Sequence, residues 1–156
     1  MHIIKNLLLT NKPQNCLEVG SAIGYSIIFQ ASIINNRGGK IIGFEISTNS
    51  YRQALNNVFR SNLNNILLIN YNFTKFPINQ IINDIDFIFI DARKAEYLDC
   101  LLKIMPYLKE GSLVVFDDVM QFKDKIHNLY SFIKKNQLIY EIISSEKSDG
   151  ILIIYF

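Results

Sequence analysis

Asp91, Lys94 and Tyr97 stand at the spacing D-x-x-K-x-x-Y directly after the apolar run Phe87-Ile88-Phe89-Ile90, and Asp117-Asp118 closes the next such run. If the two runs are adjacent parallel strands, their carboxylates converge at one sheet edge, where α/β sheets bind ligands. Oxygen donors gathered there suit a hard divalent cation such as Mg2+, with Asp91, Asp117 and Asp118 as the metal ligands. Near that charge Lys94 is a candidate proton acceptor, and Asp91 anchors its turn, so these two are the candidate catalytic residues.

A second group lies upstream, in Cys16-Leu17-Glu18-Val19-Gly20-Ser21-Ala22-Ile23-Gly24-Tyr25-Ser26. An apolar run enters a glycine turn and leaves it as a helix, which is how a buried strand meets a nucleotide. Gly20 is expected to turn the chain sharply against a ligand, and Gly24 to let the following helix pack close to the sheet. Ala22 stands where a dinucleotide fingerprint has its middle glycine, which disfavours the pyrophosphate of NAD. Glu18 is a better neighbour for an ammonium or sulfonium than for a pyrophosphate. Glu45 ends the following apolar run about 20 residues on, the offset at which an acid meets ribose hydroxyls.

The elements that must position these groups alternate along the chain. Ile3, Ile4, Leu7 and Leu8 predict a short helix over His2–Leu9, and Cys16–Val19 a strand. Ile27, Ile28, Ala31 and Ile34 predict a helix that stops at Arg37-Gly38-Gly39, followed by a strand over Lys40–Ile46. Ser47 to Ser50 offer N-cap candidates for a helix whose apolar face is Tyr51, Ala54, Leu55, Val58 and Phe59. Ile66–Ile69 predicts a third strand, Pro77–Ile82 a short helix and Asp86–Ile90 a fourth strand. A helix over Lys94–Leu108, with Tyr97, Leu98, Leu101, Leu102, Met105 and Leu108 on one side, is kinked by Pro106 and ended by Gly111. Ser112–Phe116 then delivers Asp117 and Asp118, Phe122 to Ile133 predicts another amphipathic helix, and strands Tyr140–Ser144 and Ile151–Phe156 form a hairpin through Asp149-Gly150. Such alternation defines an α/β fold with a largely parallel sheet.

A chain of 156 residues that is 49% hydrophobic can bury one sizeable core, so one domain is expected over residues 1–156. The net charge of +2 carries neither a basic tail nor a membrane-surface patch. Cys16, Cys100, His2 and His127 have no zinc spacing, and both thiols read as buried and reduced. With no signal-peptide pattern, the expected location is cytoplasmic.

The Leu-Glu-Val-Gly-Ser-Ala-Ile-Gly-Tyr-Ser wording resembles motif I of class I S-adenosylmethionine-dependent methyltransferases. It is close to that of the small bacterial O-methyltransferases of the catechol O-methyltransferase type, whose metal triad and D-x-x-K-x-x-Y pattern the lower half of the chain also resembles. The resemblance implies a Rossmann-like fold with seven strands in the order 3-2-1-4-5-7-6, the seventh antiparallel. It implies S-adenosyl-L-methionine held by Glu18, Gly20, Gly24, Ser26, Glu45, Asn72 and Asp91, with Glu45 on the ribose and Asn72 near the adenine. Asn70-Tyr71-Asn72 replaces the family's usual Gly-Asp-Ala, and Asp117-Asp118 its usual Asp-Asn.

The expected function is methyl transfer to a hydroxyl adjacent to a second oxygen, on a catechol-like small molecule or on tRNA 5-hydroxyuridine, assisted by Mg2+. The resemblance of motif I and Asp91-Ala92-Arg93-Lys94 to the small bacterial enzymes that include tRNA wobble 5-hydroxyuridine methyltransferases implies tRNA, for which Lys123, Lys125, Lys134 and Lys135 would supply a basic face against a net charge of only +2. No membrane partner is expected, and a homodimer is admissible. Relatives usually carry additional N-terminal helices over the substrate, and the segment after Asp118 is short. The alternative is therefore a catalytically weak S-adenosylmethionine-binding protein with a reduced substrate cover.

Overall fold

The computed structural model describes residues 1–81, 84–145 and 148–156. Strands β1 (Asn15–Val19), β2 (Lys40–Phe44), β3 (Ile66–Ile69), β4 (Ile85–Ile90), β5 (Leu108–Phe116), β6 (Ile139–Ser145) and β7 (Ser148–Tyr155) form one sheet in the order β3-β2-β1-β4-β5-β7-β6. The first five pair in parallel, and β7 runs antiparallel to β5 and β6. This is the mixed α/β sheet that the sequence pattern implies.

Helices cover both faces, which is why the central strands are apolar without alternation. Successive strand side chains point to opposite sides. Ile88 and Ile90 pack with Tyr97, Leu101 and Ile104 of α4 (Tyr97–Ile104) and with Leu129 and Ile133 of α5 (His127–Lys135). Phe87 and Phe89 pack with Ile4 and Leu8 of α1 (His2–Asn11) and with Ile27, Ala31 and Ile34 of α2 (Tyr25–Ile34). Each fully buried Ile, Leu or Phe contributes roughly 1.5–3 kcal/mol. No helix among the described residues is long and apolar enough to cross a membrane.

Register aligns the strand ends. Val19 pairs with Phe44 and with Ile90, Phe44 pairs with Ile69, and Ile90 pairs with Phe116. The residues that follow, Gly20, Glu45, Asn70, Asp91 and Asp117, therefore stand side by side along one edge of the sheet.

Several local expectations are corrected. In α3 (Thr48–Ser61) Ala54 is buried, but Leu55 is exposed and Phe59 is 83% exposed, so among the described residues nothing covers that part of the expected apolar face. The expected Lys94–Leu108 helix is a 3-10 turn (Lys94–Glu96), then α4, then a 3-10 turn (Met105–Tyr107) at Pro106, whose missing N–H cannot continue the ladder. Leu102 lies on its exposed side. Gly111 does not end that helix: with φ of 86° it sits inside β5, where the register to β4 is irregular and Ser112 Oγ donates to the Ile85 carbonyl. The strand over Lys40–Ile46 stops at Phe44. Asp149-Gly150 lies within β7 instead of forming the turn, and positions 146 and 147 lie outside the described residues. Of the expected Pro77–Ile82 helix, a 3-10 turn over Ile78–Gln80 is present, and Ile82 lies outside the described residues.

Candidate active site

The glycine turn is held by backbone that only a few residues tolerate. Gly20, Ala22 and Gly24 all have positive φ, at 95°, 45° and 91°. Ala22 is the odd member, since an alanine meets a steric cost at positive φ that the two glycines do not. The Gly20 and Ser21 amides donate to the Phe44 carbonyl at 2.9 and 3.1 Å, which fixes the turn to the end of β2. Gly24 serves helix–helix packing and not helix–sheet packing: a Cβ there would stand 3.3 Å from Ala54 of α3.

Glu45 joins the same turn to the start of α3. Its Oε2 accepts from the Ala22 amide at 2.8 Å and its Oε1 from the Ser47 amide at 2.7 Å, while Ser47 Oγ caps the helix by accepting from Ser50 N–H. The carboxylate is thus aimed by backbone donors and retains lone pairs for further hydroxyl donors.

A cleft of about 270 Å³ opens at this edge, lined by Gly20, Ala22, Glu45, Ile46, Tyr71, Asn72, Thr74, Asp91 and Ala92 among others. Phe44 meets Phe73 and Phe76 edge-to-face at 5.1 Å, and Tyr71 meets Phe76, so the wall near Asn72 is aromatic. Asn72 Oδ1 accepts from Thr74 N–H and Oγ1–H, which leaves its amide nitrogen as the group available to a ligand. A larger groove of about 560 Å³ lies at the opposite end of the strands, where Lys40 and Asp84 are its charged lining residues. None of the candidate site residues reaches it.

Gly20, Glu45, Asn72 and Asp91 line the cleft, whereas Glu18, Gly24 and Ser26 do not. Glu18 is wholly buried, with Ser26 Oγ donating to Oε1 at 2.9 Å and Gln30 Nε2 donating to Oε2. Burial pushes its carboxyl up to about 8, against the pull of its hydrogen bonds. Glu18, expected as a charged neighbour of the ligand's ammonium or sulfonium, is instead a buried brace between β1 and α2. Gln30 was missed because its partnership with Glu18 spans a strand, a turn and a helix; the polar Gln30 on an apolar helix face was the available signal.

Asp91 also faces a second cluster. Lys94 Nζ lies 3.4 Å from Asp91 Oδ1 and 3.5 Å from Asp118 Oδ2, and donates to Tyr97 Oη at 2.7 Å. The Tyr97 hydroxyl donates in turn to the Asp117 carbonyl at 2.8 Å. The chain thereby locks the turn after β4 to the end of β5. Burial, with Asp91 adding, pushes the Asp117 carboxyl up, and its Oδ1 accepts the Asp118 amide.

S-adenosylmethionine fits the cleft: a buried acid aimed by two amides, an aromatic wall and a free side-chain amide match a nucleoside. A divalent metal does not fit the expected triad in the same way. Asp91, Asp117 and Asp118 do share one edge, yet no group of three His, Cys, Asp or Glu side chains among the described residues is gathered to hold an ion. The cation between Asp91 and Asp118 is Lys94.

A seven-stranded sheet in this order, with its glycine turn and strand-end acids around one cleft, is the Rossmann-like fold of class I methyltransferases. A Podospora anserina methyltransferase bound to SAH superposes with a TM-score of 0.88 at 15% identity, over 99% of this chain and 76% of that one. An O-methyltransferase from Bacillus cereus in complex with SAH superposes with a TM-score of 0.78 at 24% identity, over 99% and 79%. The family model for O-methyltransferases matches residues 2–147, and the chain belongs to that family. The chain spans about half the length of the curated relatives it matches: caffeoyl-CoA O-methyltransferase 3 of Nicotiana tabacum is 27% identical over 120 residues, 73% of this chain and 49% of that protein.

Proposed function

We propose that this chain transfers a methyl group from S-adenosyl-L-methionine to a hydroxyl that neighbours a second oxygen, in the cytoplasm. The observation that carries the reading is the double placement of Asp91, which lines the nucleoside cleft and also pairs with Lys94. Donor and acceptor sites therefore meet at one residue.

When bound, S-adenosylmethionine supplies an electrophilic methyl whose carbon–sulfur bond breaks, its electron pair going to sulfur, as the new carbon–oxygen bond forms. Glu45 would accept from the ribose hydroxyls, and the Asn72 amide and the aromatic wall would hold the adenine. Asp91 sits at the junction, where it orients Lys94. Lys94, an ammonium with donors and no acceptor, faces the hydroxyl oxygen and stabilises the negative charge that builds on it. The expectation of Lys94 as proton acceptor gives way, since an ammonium paired with Asp91 and Asp118 has no lone pair to offer, and the hydroxyl proton leaves to Asp118, a carboxylate about half open to solvent. Holding both oxygens of the acceptor group in register is the main source of rate, because an in-line displacement depends on orientation.

The acceptor is a small phenol or a tRNA base, and the second is favoured by one surface. Lys123, His127 and Lys134 line a groove of about 530 Å³ together with Tyr130 and Tyr140, a basic and aromatic lining suited to a nucleic acid. Asp124 is the acid among them.

Calorimetry with S-adenosylhomocysteine and NAD tests the donor site, with binding expected for the first and none for the second. Nucleoside mass spectrometry of tRNA from cells with and without the gene, beside turnover of simple catechols, tests the acceptor. Identical 5-methoxyuridine derivatives in both strains, with catechol turnover, would sink the tRNA reading. Cofactor binding with no turnover of either would instead favour the catalytically weak alternative.

A further inference from the structure

We propose that Lys94 is the resident cation of this site, standing where a divalent ion would have to stand, so that the reaction proceeds without a metal. The inference rests on the reading of this edge as the methyl-acceptor site.

The placement of the ammonium is over-determined. It donates to Asp91 Oδ1 at 3.4 Å and to Tyr97 Oη at 2.7 Å and pairs with Asp118 Oδ2 at 3.5 Å, which leaves one N–H not committed to a hydrogen bond. It also lies over the Tyr97 and Phe122 rings, 5.0 and 5.7 Å from their centroids, and the side chain is only 13% exposed. A divalent ion bound to Asp91 and Asp118 needs oxygens within roughly 2.0–2.6 Å. Such an ion would share those carboxylates with a positive charge that two rings and a phenol hold in place. Like charges a few ångströms apart in a half-buried site repel, because little water screens them there.

Asp118 points the same way. It adopts φ of 52°, a region that asparagine and aspartate both visit, so the backbone is served equally well by either residue. The carboxylate differs from an amide there in its charge, and that charge faces Lys94. Asp91 and Asp118 then serve as the lysine's counter-ions, and the acceptor oxygen meets an ammonium instead of a Lewis acid.

Titration of the purified chain with Mn2+, followed by water-proton relaxation, tests this without a known acceptor. The wild type is expected to bind Mn2+ at least tenfold more weakly than Lys94→Met, in which the carboxylates lose their built-in partner. Lys94→Arg, which restores a positive charge, is expected to bind as weakly as the wild type. Equal Mn2+ affinity in the wild type and Lys94→Met overturns the proposal, as does tight stoichiometric binding by the wild type alone, a result that needs no variant to fold. Calorimetry with S-adenosylhomocysteine on the same wild-type protein is a separate readout. Its failure would remove the methyltransferase reading and leave the Mn2+ comparison standing.

Discussion

Gly20 lies so close to the Asp91 backbone that a Cβ placed on it would fall on the Asp91 carbonyl oxygen. The turn after β1 and the end of β4 are thus pressed together, main chain against main chain, at the point where the cleft meets the lysine cluster. Gly20→Ala adds that collision to the strain of a positive φ, so the variant is expected to lose on the order of 2–4 kcal/mol of stability. Urea unfolding of the two proteins measures this. An alanine variant as stable as the wild type would mean that the turn can move away from Asp91.

Glu45 is expected to carry cofactor affinity. Its carboxylate is already aligned by the Ala22 and Ser47 amides, so hydroxyl donors meet it with little reorganisation. Glu45→Ala should weaken S-adenosylhomocysteine binding by roughly 1–3 kcal/mol, the scale of hydrogen bonds to a charged group. Unchanged affinity by calorimetry would remove Glu45 from the donor site.

The strands and their order were legible because each is an unbroken apolar run bounded by turn residues, and because a doubly covered sheet permits few arrangements of such runs. The strand-end acids were legible for the same reason: parallel register brings successive ends to one edge. What sequence hid was whatever depends on a distant partner. Phe59 fits an apolar stripe by spacing, but exposure is decided by whether another element covers it. Asp149-Gly150 reads as a hairpin turn, yet Gly150 is glycine because Met120 packs where its Cβ would be. The charge of Glu18 likewise could not be judged until Ser26 and Gln30 were seen to enclose it.

That enclosure gives stability a pH dependence. The Glu18 carboxyl, at about 4.5 when free and about 8 in the fold, stays protonated in the native state while the unfolded chain ionises. The contribution is therefore fully present below pH 4.5 and is lost as pH rises toward 8, by up to about 1.4 kcal/mol per unit. Glu18→Gln keeps the shape and removes the titration. Its stability relative to the wild type should rise between pH 5 and pH 8 in urea unfolding, and parallel profiles would show that Glu18 remains ionised in the folded chain.

Tyr97 separates positioning from cofactor binding. Its hydroxyl is the link between Lys94 and the Asp117 carbonyl, and its ring is fully buried against Phe116 at 5.1 Å. Tyr97→Phe keeps the ring and its packing but frees Lys94 from one of its anchors and leaves the Asp117 carbonyl without that donor. The expected cost is about 1–2 kcal/mol of stability. Because the hydroxyl is not part of the cleft wall, S-adenosylhomocysteine affinity should stay within about twofold of the wild type, on the scale of distant, independent sites. Methyl transfer should fall further than stability does, since the loss of orientation is felt in the displacement itself. A variant that loses cofactor affinity in proportion to its activity would show that the lysine cluster and the cleft are one cooperative site, with Asp91 transmitting the disturbance from one to the other.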